Sequence, residues 1–303
     1  MATDPAARGL MDDAAVLPSP GGDIVLTHDM LVEGVHYLAD DAPADVAWKL
    51  LAVNLSDLAA KGAEPLGVLL GYALTDDADW DAAFATGLGE AARMLGVSLL
   101  GGDTVRMPAG APRALGLTAL GRAPAGGAPA RSGARAGDNL YVSGTIGDAA
   151  LGLAIRQGRV EGADCLVQRY VRPMPRLALG ASIAGHVHAM ADVSDGLLID
   201  AQRMAMASGC AIRIDLDQVP LSQAYRAARG GGLDDWLFAA TGGDDYELLF
   251  AAPPGLFSAC PEVTAIGAVE DGQGLLLYFE DRPIDLPDSL GYEHDAATET
   301  TRA

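Results

Sequence analysis

The chain has 303 residues, half of them hydrophobic, with 41 acids against 20 bases and a formal net charge of −21. At about 150 residues per domain this length predicts two domains, and the apolar share is enough for a sizeable core. The acidic balance argues against a general nucleic-acid binder and against docking on anionic lipid, since both need a basic surface; a phosphate ligand reached through metal ions stays open.

In chain order, DIVLTHDM (Asp23–Met30) reads as the first strand and Ala44–Lys61 as a helix. PLGVLLGYAL follows as a buried strand, DWDAAFATGLGEAARMLG as a helix, and VSLLGGD and RALGLTALGRA as two more strands. The Gly/Pro/Ala-rich stretch Ala123–Asp138 has no periodicity and reads as a linker. Beyond it come the strand NLYVSG and helices over Asp148–Arg159, Ala163–Val171 and Arg176–Ala184. ADVSDGLLIDAQRMAMASG predicts a short strand turning into a helix, and AIRIDLDQVP, YELLFAAP, TAIGAVE and GLLLYFE predict strands. The polar tail after Tyr292 is expected to fray. Strands and helices mix in both halves, so the expected class is α/β (or α+β) with two domains, residues 1–125 and 132–303.

No apolar run reaches the length of about 18 residues that a transmembrane helix needs, and MATDPAARGL lacks the basic and apolar regions of a signal peptide. The expected location is the cytoplasm. Cys165, Cys210 and Cys260 are scattered, with no zinc-site spacing, and His186 and His188 read as structural or surface residues.

Acids stand where local structure does not need them. They lie in DDAAVLP (Asp12, Asp13), in THD (Thr27, His28, Asp29), in VNLSDLAAKGAEP (Asp57), in LLGGDTVR (Gly101, Gly102, Asp103) and in DVSDG (Asp192, Ser194, Asp195). At about 100° per residue, Val46, Leu50, Val53, Asp57 and Ala60 fall near one line, which puts Asp57 inside an apolar helical stripe. A buried carboxylate there needs a metal or a salt-bridge partner. Asp103 after two glycines reads either as turn chemistry or as an acid beside a phosphate. Ser194 or Asp195 serves as an N-cap or marks a phosphate site at a helix start, whereas Asp192 has no capping role. Carboxylates from distant segments, in a chain whose lysines are Lys49 and Lys61, point to Mg²⁺ bridging to phosphates. Neither lysine lies in a GxxxxGK[ST] loop, and the protein-kinase signatures are absent.

The strings THDMLVEGVHYL, VNLSDLAAKGAEP, LLGGDT, DVSDGLLIDAQ and TGGDDYELLF, in this order, resemble the thiamine-monophosphate kinases. These belong to the superfamily of aminoimidazole ribonucleotide synthetase and selenophosphate synthetase. The resemblance runs from DDAAVLP to about GYEHD. It implies two domains: an N-terminal mixed sheet with helices that pairs into a dimeric β-barrel, and a C-terminal α/β domain. It further implies a homodimer that uses ATP and several Mg²⁺ ions to phosphorylate thiamine monophosphate by direct in-line transfer. By motif match, Asp13, Thr27, His28, Asp29, Asp57, Asp103, Asp192 and Asp195 fall on metal positions. Gly102, Asp103, Arg131 and Ser194 fall on ATP positions, and His36 and Asp244 on acceptor positions. The acceptor phosphate is already ionised, so no acid/base residue is expected.

The chain departs from the family pattern in four places. Met11 replaces a Gly, Thr27-His28-Asp29 replaces a Ser-Thr-Asp type string, GGDD replaces GGED, and Ser289 stands where some members carry a Trp on the substrate. A selenophosphate synthetase would carry a reactive Cys near its start, yet the first here is Cys165; the related hydrogenase-maturation protein ends in Cys, whereas this chain ends TRA. The alternatives are another ATP-using enzyme of the superfamily, close to aminoimidazole ribonucleotide synthetase, and a non-catalytic Mg-nucleotide-binding regulator.

Overall fold

The computed structural model describes residues 4–293. Of the tail after Tyr292 that is expected to fray, residues 294–303 lie outside the described residues. A first sheet holds β1 (Ala15–Leu17), β2 (Ile24–Val32), β3 (Glu64–Leu74), β4 (Leu99–Arg106) and β5 (Ala114–Arg122), in the order β1-β2-β5-β3-β4. All its pairs are antiparallel except β3 with β4. The parallel pair requires a crossover, and α2 (Ala78–Leu95) supplies it. Asp77 caps α2 by accepting the Trp80 N–H at 3.0 Å. Gly96, in the left-handed region at φ 70°, ends it.

The helix α1 (Pro43–Ala60) opens with Pro43 in its first turn and Asp45 near its positive end. Almost every one of its residues is buried, because both of its faces are covered. Leu50, Leu51, Leu55 and Leu58 pack with Val25, Leu115 and Leu117 of the first sheet. Ala59 and Ala60 pack with Ile183, Met190, Leu248 and Phe250 of the second domain. The approach is tight: a Cβ on Gly180 would lie 2.1 Å from the Ala59 carbonyl oxygen.

The second sheet is mixed. Its strands are β6 (Asn139–Ser143), β7 (Ala189–Val193), β8 (Ala211–Asp215), β9 (Glu247–Ala252), β10 (Val263–Glu270), β11 (Gly274–Phe279) and β12 (Arg282–Ile284), in the order β12-β11-β8-β10-β6-β9-β7. Around it lie α3 (Asp148–Arg156), α4 (Asp164–Val171), α5 (Leu177–Ile183), α6 (Leu197–Ser208), α7 (Gln223–Ala228) and α8 (Leu233–Thr241). The result is a two-domain α/β protein, as the sequence pattern indicates.

Four elements were not expected from the sequence. β1 and β12 have three residues each, too few to show alternation. α7 and α8 are separated by Gly230-Gly231-Gly232, which breaks the helical period. The Asp235 carboxylate accepts the Gly232 N–H at 2.9 Å and so starts α8 without a side-chain cap at Gly232. β4, expected as a strand, is exposed along its whole length, at the open edge of the first sheet.

Candidate functional site

The site lies where α1 crosses between the two sheets. Asp57 projects from α1 toward β2, and its Oδ2 accepts a hydrogen bond from the Thr27 hydroxyl. Asp192 stands at the end of β7, with Oδ2 accepting from Ser56 Oγ at 2.6 Å. Asp13 arrives from the segment before β1. One carboxylate oxygen from each of Asp13, Asp57 and Asp192 lies within 4.8 Å of the others. A cavity of about 350 Å³ opens on this triad and is also lined by Arg131, Ser194 and Arg203.

The electrostatics set this group apart. Burial first, and then the neighbouring Asp29, Asp192 and Asp13, push Asp57 well above the usual carboxylate range. Burial and Asp13 do the same to Asp192, and burial raises Asp29 despite the nearby His28. Two cations stand at one edge. Lys61 Nζ sits 2.6 Å from Asp13 Oδ2 and also holds Asp12, while the Arg131 guanidinium holds Asp13 Oδ1. Arg131 Nε is buried without an acceptor among the described residues, which leaves a donor for an anion. Acids packed this closely, with Lys61 and Arg131 at one edge, could hold a divalent cation through oxygen ligands.

The structure brings most of the sequence-derived residues to this cavity. Thr27, His28 and Asp29 lie side by side on β2 and line it, as do Ser194 and Asp195. β2 alternates, so Thr27 and Asp29 share the face toward α1. The His28 ring lies on the opposite, exposed face, with Nδ1 2.9 Å from Thr118 Oγ1. The Asp29 N–H donates to Asn54 Oδ1 at 2.9 Å. Asp200, fully buried, accepts the N–H groups of Ser194 and Asp195 at 3.1 Å each and fixes that loop. Burial and Asp195 raise Asp200 to about 6. Gly196, at φ 133°, lets the chain turn from this loop into α6, a conformation that a side chain would strain.

His36 and Asp244 stand apart from the triad, at the seam between the domains. Lys49 Nζ donates to the His36 carbonyl at 3.0 Å and to Asp244 Oδ2 at 2.8 Å. Ser289 is exposed and donates to the Gly291 carbonyl at 2.8 Å, in a segment whose Tyr292 N–H bonds to Asp195. Gly102 and Asp103 are not part of this chain's cavity. They lie on exposed β4, where Asp103 accepts the Thr104 N–H at 2.9 Å.

Sequence reasoning missed Asn54, Ser56, Lys61, Asp200 and Lys49 as supporting residues. For two of them a signal exists. Asn54, Asp57 and Lys61 recur at three- and four-residue spacing, a polar line on a helix that is otherwise apolar.

Comparison with known proteins agrees with this architecture over nearly the whole chain. Residues 11–123 match the model of the AIR synthase related protein, N-terminal domain, and residues 135–278 that of its C-terminal domain. The thiamine-monophosphate kinase of Caulobacter vibrioides is 44% identical over 96% of this chain and 86% of its own length. A crystal structure of thiamine-monophosphate kinase from Stenotrophomonas maltophilia K279a superposes with a TM-score of 0.77 at 37% identity, covering 92% of this chain and 95% of that one. The structure of AaThiL complexed with AMPPCP and TMP superposes with a TM-score of 0.84 at 29% identity, covering 95% and 94%. With both domain models matched in order and these identities sustained from end to end, the chain belongs to the AIR synthase related family and, within it, to the thiamine-monophosphate kinases.

Proposed function

We propose that this chain transfers the γ-phosphoryl group of ATP to the phosphate of thiamine monophosphate, releasing ADP and thiamine diphosphate. The observation that carries the chemistry is the triad Asp13, Asp57 and Asp192, oxygen ligands within 4.8 Å of one another beside Arg131. Family membership supports the substrates, as do the AMPPCP and TMP held by the related structure.

The triad would hold Mg²⁺, with Thr27, Asp29 and Asp195 as further metal positions; His28, whose ring faces away, would join through its backbone, and Asp103, outside this chain's cavity, would join only from a second copy across the β4 edge. Bound there, Mg²⁺ neutralises phosphate charge and polarises the transferred group. Gly102, Asp103, Arg131 and Ser194 are assigned to ATP, and His36, Asp244 and Ser289 to the acceptor. The attacking oxygen is an ionised phosphate oxygen, so no general base has to take its proton. What the protein must do is align the two phosphates and exclude water. Arg131, anchored on Asp13, offers a fixed guanidinium to the anionic phosphates. Asp200 fixes the Ser194–Asp195 loop against the same cavity.

We also read the chain as a homodimer, in which the exposed β4 edge meets a second copy and the two sheets close a barrel. Exposed Leu99, Leu100 and Val105 on β4 and Leu69 on β3 support this face. The division between units is placed between residues 125 and 132, in the stretch separating β5 from β6. The net charge of −21 supports a small-molecule enzyme without a nucleic-acid partner. Among the described residues no helix is long and apolar enough to cross a membrane, and the reaction is assigned to the cytoplasm, where ATP is made and used.

The test is ADP release with and without thiamine monophosphate, in Mg²⁺ and in EDTA. The expected result is release that requires both the acceptor and Mg²⁺, with little turnover of free thiamine. Equal turnover of free thiamine would refute the acceptor, and ATP binding without turnover would leave a regulator on this scaffold. Light scattering that gives a single 31.0 kDa species would remove the dimer.

A further inference from the structure

Lys49 is a buried ammonium on α1, its side chain only 3% exposed. A charge so far from water needs all of its donors used. Its Nζ donates to the His36 carbonyl at 3.0 Å and to Asp244 Oδ2 at 2.8 Å, and it lies 4.0 Å from the centre of the Tyr170 ring. Three neighbours saturate it, so Lys49 has no donor left to offer a ligand.

Its carboxylate partner is in the opposite condition. The Asp244 side chain is 30% exposed, so the pair is not a closed salt bridge of the core. Asp244 sits at φ 69° and Tyr246 at φ 51°, left-handed conformations that are strained for residues other than glycine. The surroundings impose that strain. The Asp244 N–H donates to the Ser194 carbonyl and the Tyr246 N–H to the Val193 carbonyl, both at 2.8 Å. The Tyr246 hydroxyl donates to Asp244 Oδ1 at 3.0 Å. Each oxygen of Asp244 is thus held by one donor, and the carboxylate keeps an open edge at the seam between the domains. A salt bridge that served folding alone would not need a carboxylate aimed from a strained residue beside Ser194.

The lysine and the triad also share one rigid element. Lys49 lies eight residues before Asp57 on α1, about 12 Å along the helix axis. The same helix therefore spaces the carboxylate triad from the Asp244 carboxylate.

We infer that Lys49 is a positioning residue for the acceptor end of the site: its ammonium ties His36 of the first domain to Asp244 of the second and fixes the open edge of Asp244 against the bound acceptor. This rests on the reading of the chain as a thiamine-monophosphate kinase. Lys49 touches neither substrate and acts through the two residues it holds.

Steady-state kinetics of Lys49→Met, Lys49→Arg, Asp244→Asn and the double variant Lys49→Met/Asp244→Asn test it, with both substrates varied. In Lys49→Met the KM for thiamine monophosphate rises by about tenfold or more while that for ATP stays within about twofold. Lys49→Arg, which keeps the charge with altered donor geometry, gives an intermediate rise of about threefold. The double variant is no worse than Asp244→Asn by more than about twofold, because both changes remove one interaction. A folded Lys49→Met with an unchanged acceptor KM overturns the inference. So does an equal change in both KM values, or multiplicative effects in the double variant. Should Lys49→Met fail to melt cooperatively, Lys49→Arg decides, and a wild-type acceptor KM overturns the inference. A wild-type protein without acceptor-dependent ADP release fails in a different way, since it removes the kinase reading itself.

Discussion

Glu247 and Asp57 are both withdrawn from water, yet their surroundings differ in sign. The Glu247 side chain is fully buried and accepts from Arg169 at 2.6 Å, from Arg176 and from Ser143 at 2.5 Å. Among the described residues Asp57 accepts from one neutral hydroxyl, that of Thr27, and the charged groups that shift it are Asp29, Asp192 and Asp13. One carboxylate is balanced by two guanidinium groups, and the other is crowded by its own kind. Burial alone does not mark a functional acid; crowding by other buried carboxylates does. Asp245 is a third case. It is buried, and both of its oxygens face the single N–H of Gly147, at 3.0 and 2.9 Å.

The sharpest way to break this comparison is to neutralise each acid in turn. Asp57→Asn is expected to lower kcat/KM by about a thousandfold or more, because a metal ligand is lost. In EDTA the same variant should be as stable as wild type or more stable, by about 0.5–2 kcal/mol, since like charges no longer crowd. A melting temperature many degrees below wild type with activity kept would make Asp57 structural.

Glu247→Gln should do the reverse. It leaves Arg169 and Arg176 without their carboxylate, a loss of about 3 kcal/mol, at the low end for a broken buried pair because both arginines are partly exposed. The loss should be the same with Mg²⁺ and with EDTA. A Mg²⁺-dependent loss in urea melts would tie Glu247 to the cation site instead.

Asp245 gives a pH signature. Burial holds its carboxyl well above the usual range, although the Gly147 N–H and Arg169 pull it down. The folded protein therefore keeps a proton that the unfolded chain releases near pH 4. The stability it contributes is complete below that pH and is lost as pH rises through the folded pKa, at no more than about 1.4 kcal/mol per pH unit. Asp245→Asn, close in shape, should flatten that slope between pH 4 and 8. An unchanged slope in urea melts would mean that Asp245 is ionised when folded.

The smallest effect is expected at Thr27. Thr27→Val preserves shape and removes the hydroxyl that bonds to Asp57, costing about 1 kcal/mol in EDTA. No change in stability would show that the Thr27 hydroxyl contributes nothing to holding Asp57.

Much of the site is legible in the sequence because its residues violate local rules. Asp57 interrupts an apolar helical stripe, and Asp192 is an acid at the end of a buried strand with no cap to make. Asp13, Thr27 and Asp29 stand out as acids and a hydroxyl that local structure does not need, the family resemblance gives them a metal role, and the fold brings them to the same cavity. Ser56 and Asp200 stayed hidden because they look like ordinary helical polar residues until their partners are known. The exposure of β4 was also hidden, because an apolar strand reads the same whether its face meets a core or lies open at a sheet edge.

By itself, the sequence determined the two-domain α/β class, the main strands and helices, and the acids too costly to bury without a purpose. Those follow from hydrophobic period and desolvation, which act over a few residues. Only the tertiary structure decided which charges balance one another. Lys49 reaches Asp244 across 195 positions, and Ser56 reaches Asp192 across 136. Whether a carboxylate becomes structural or is left for a metal depends on such pairs. They form because α1 is packed between two sheets, and no local pattern in the chain encodes that contact.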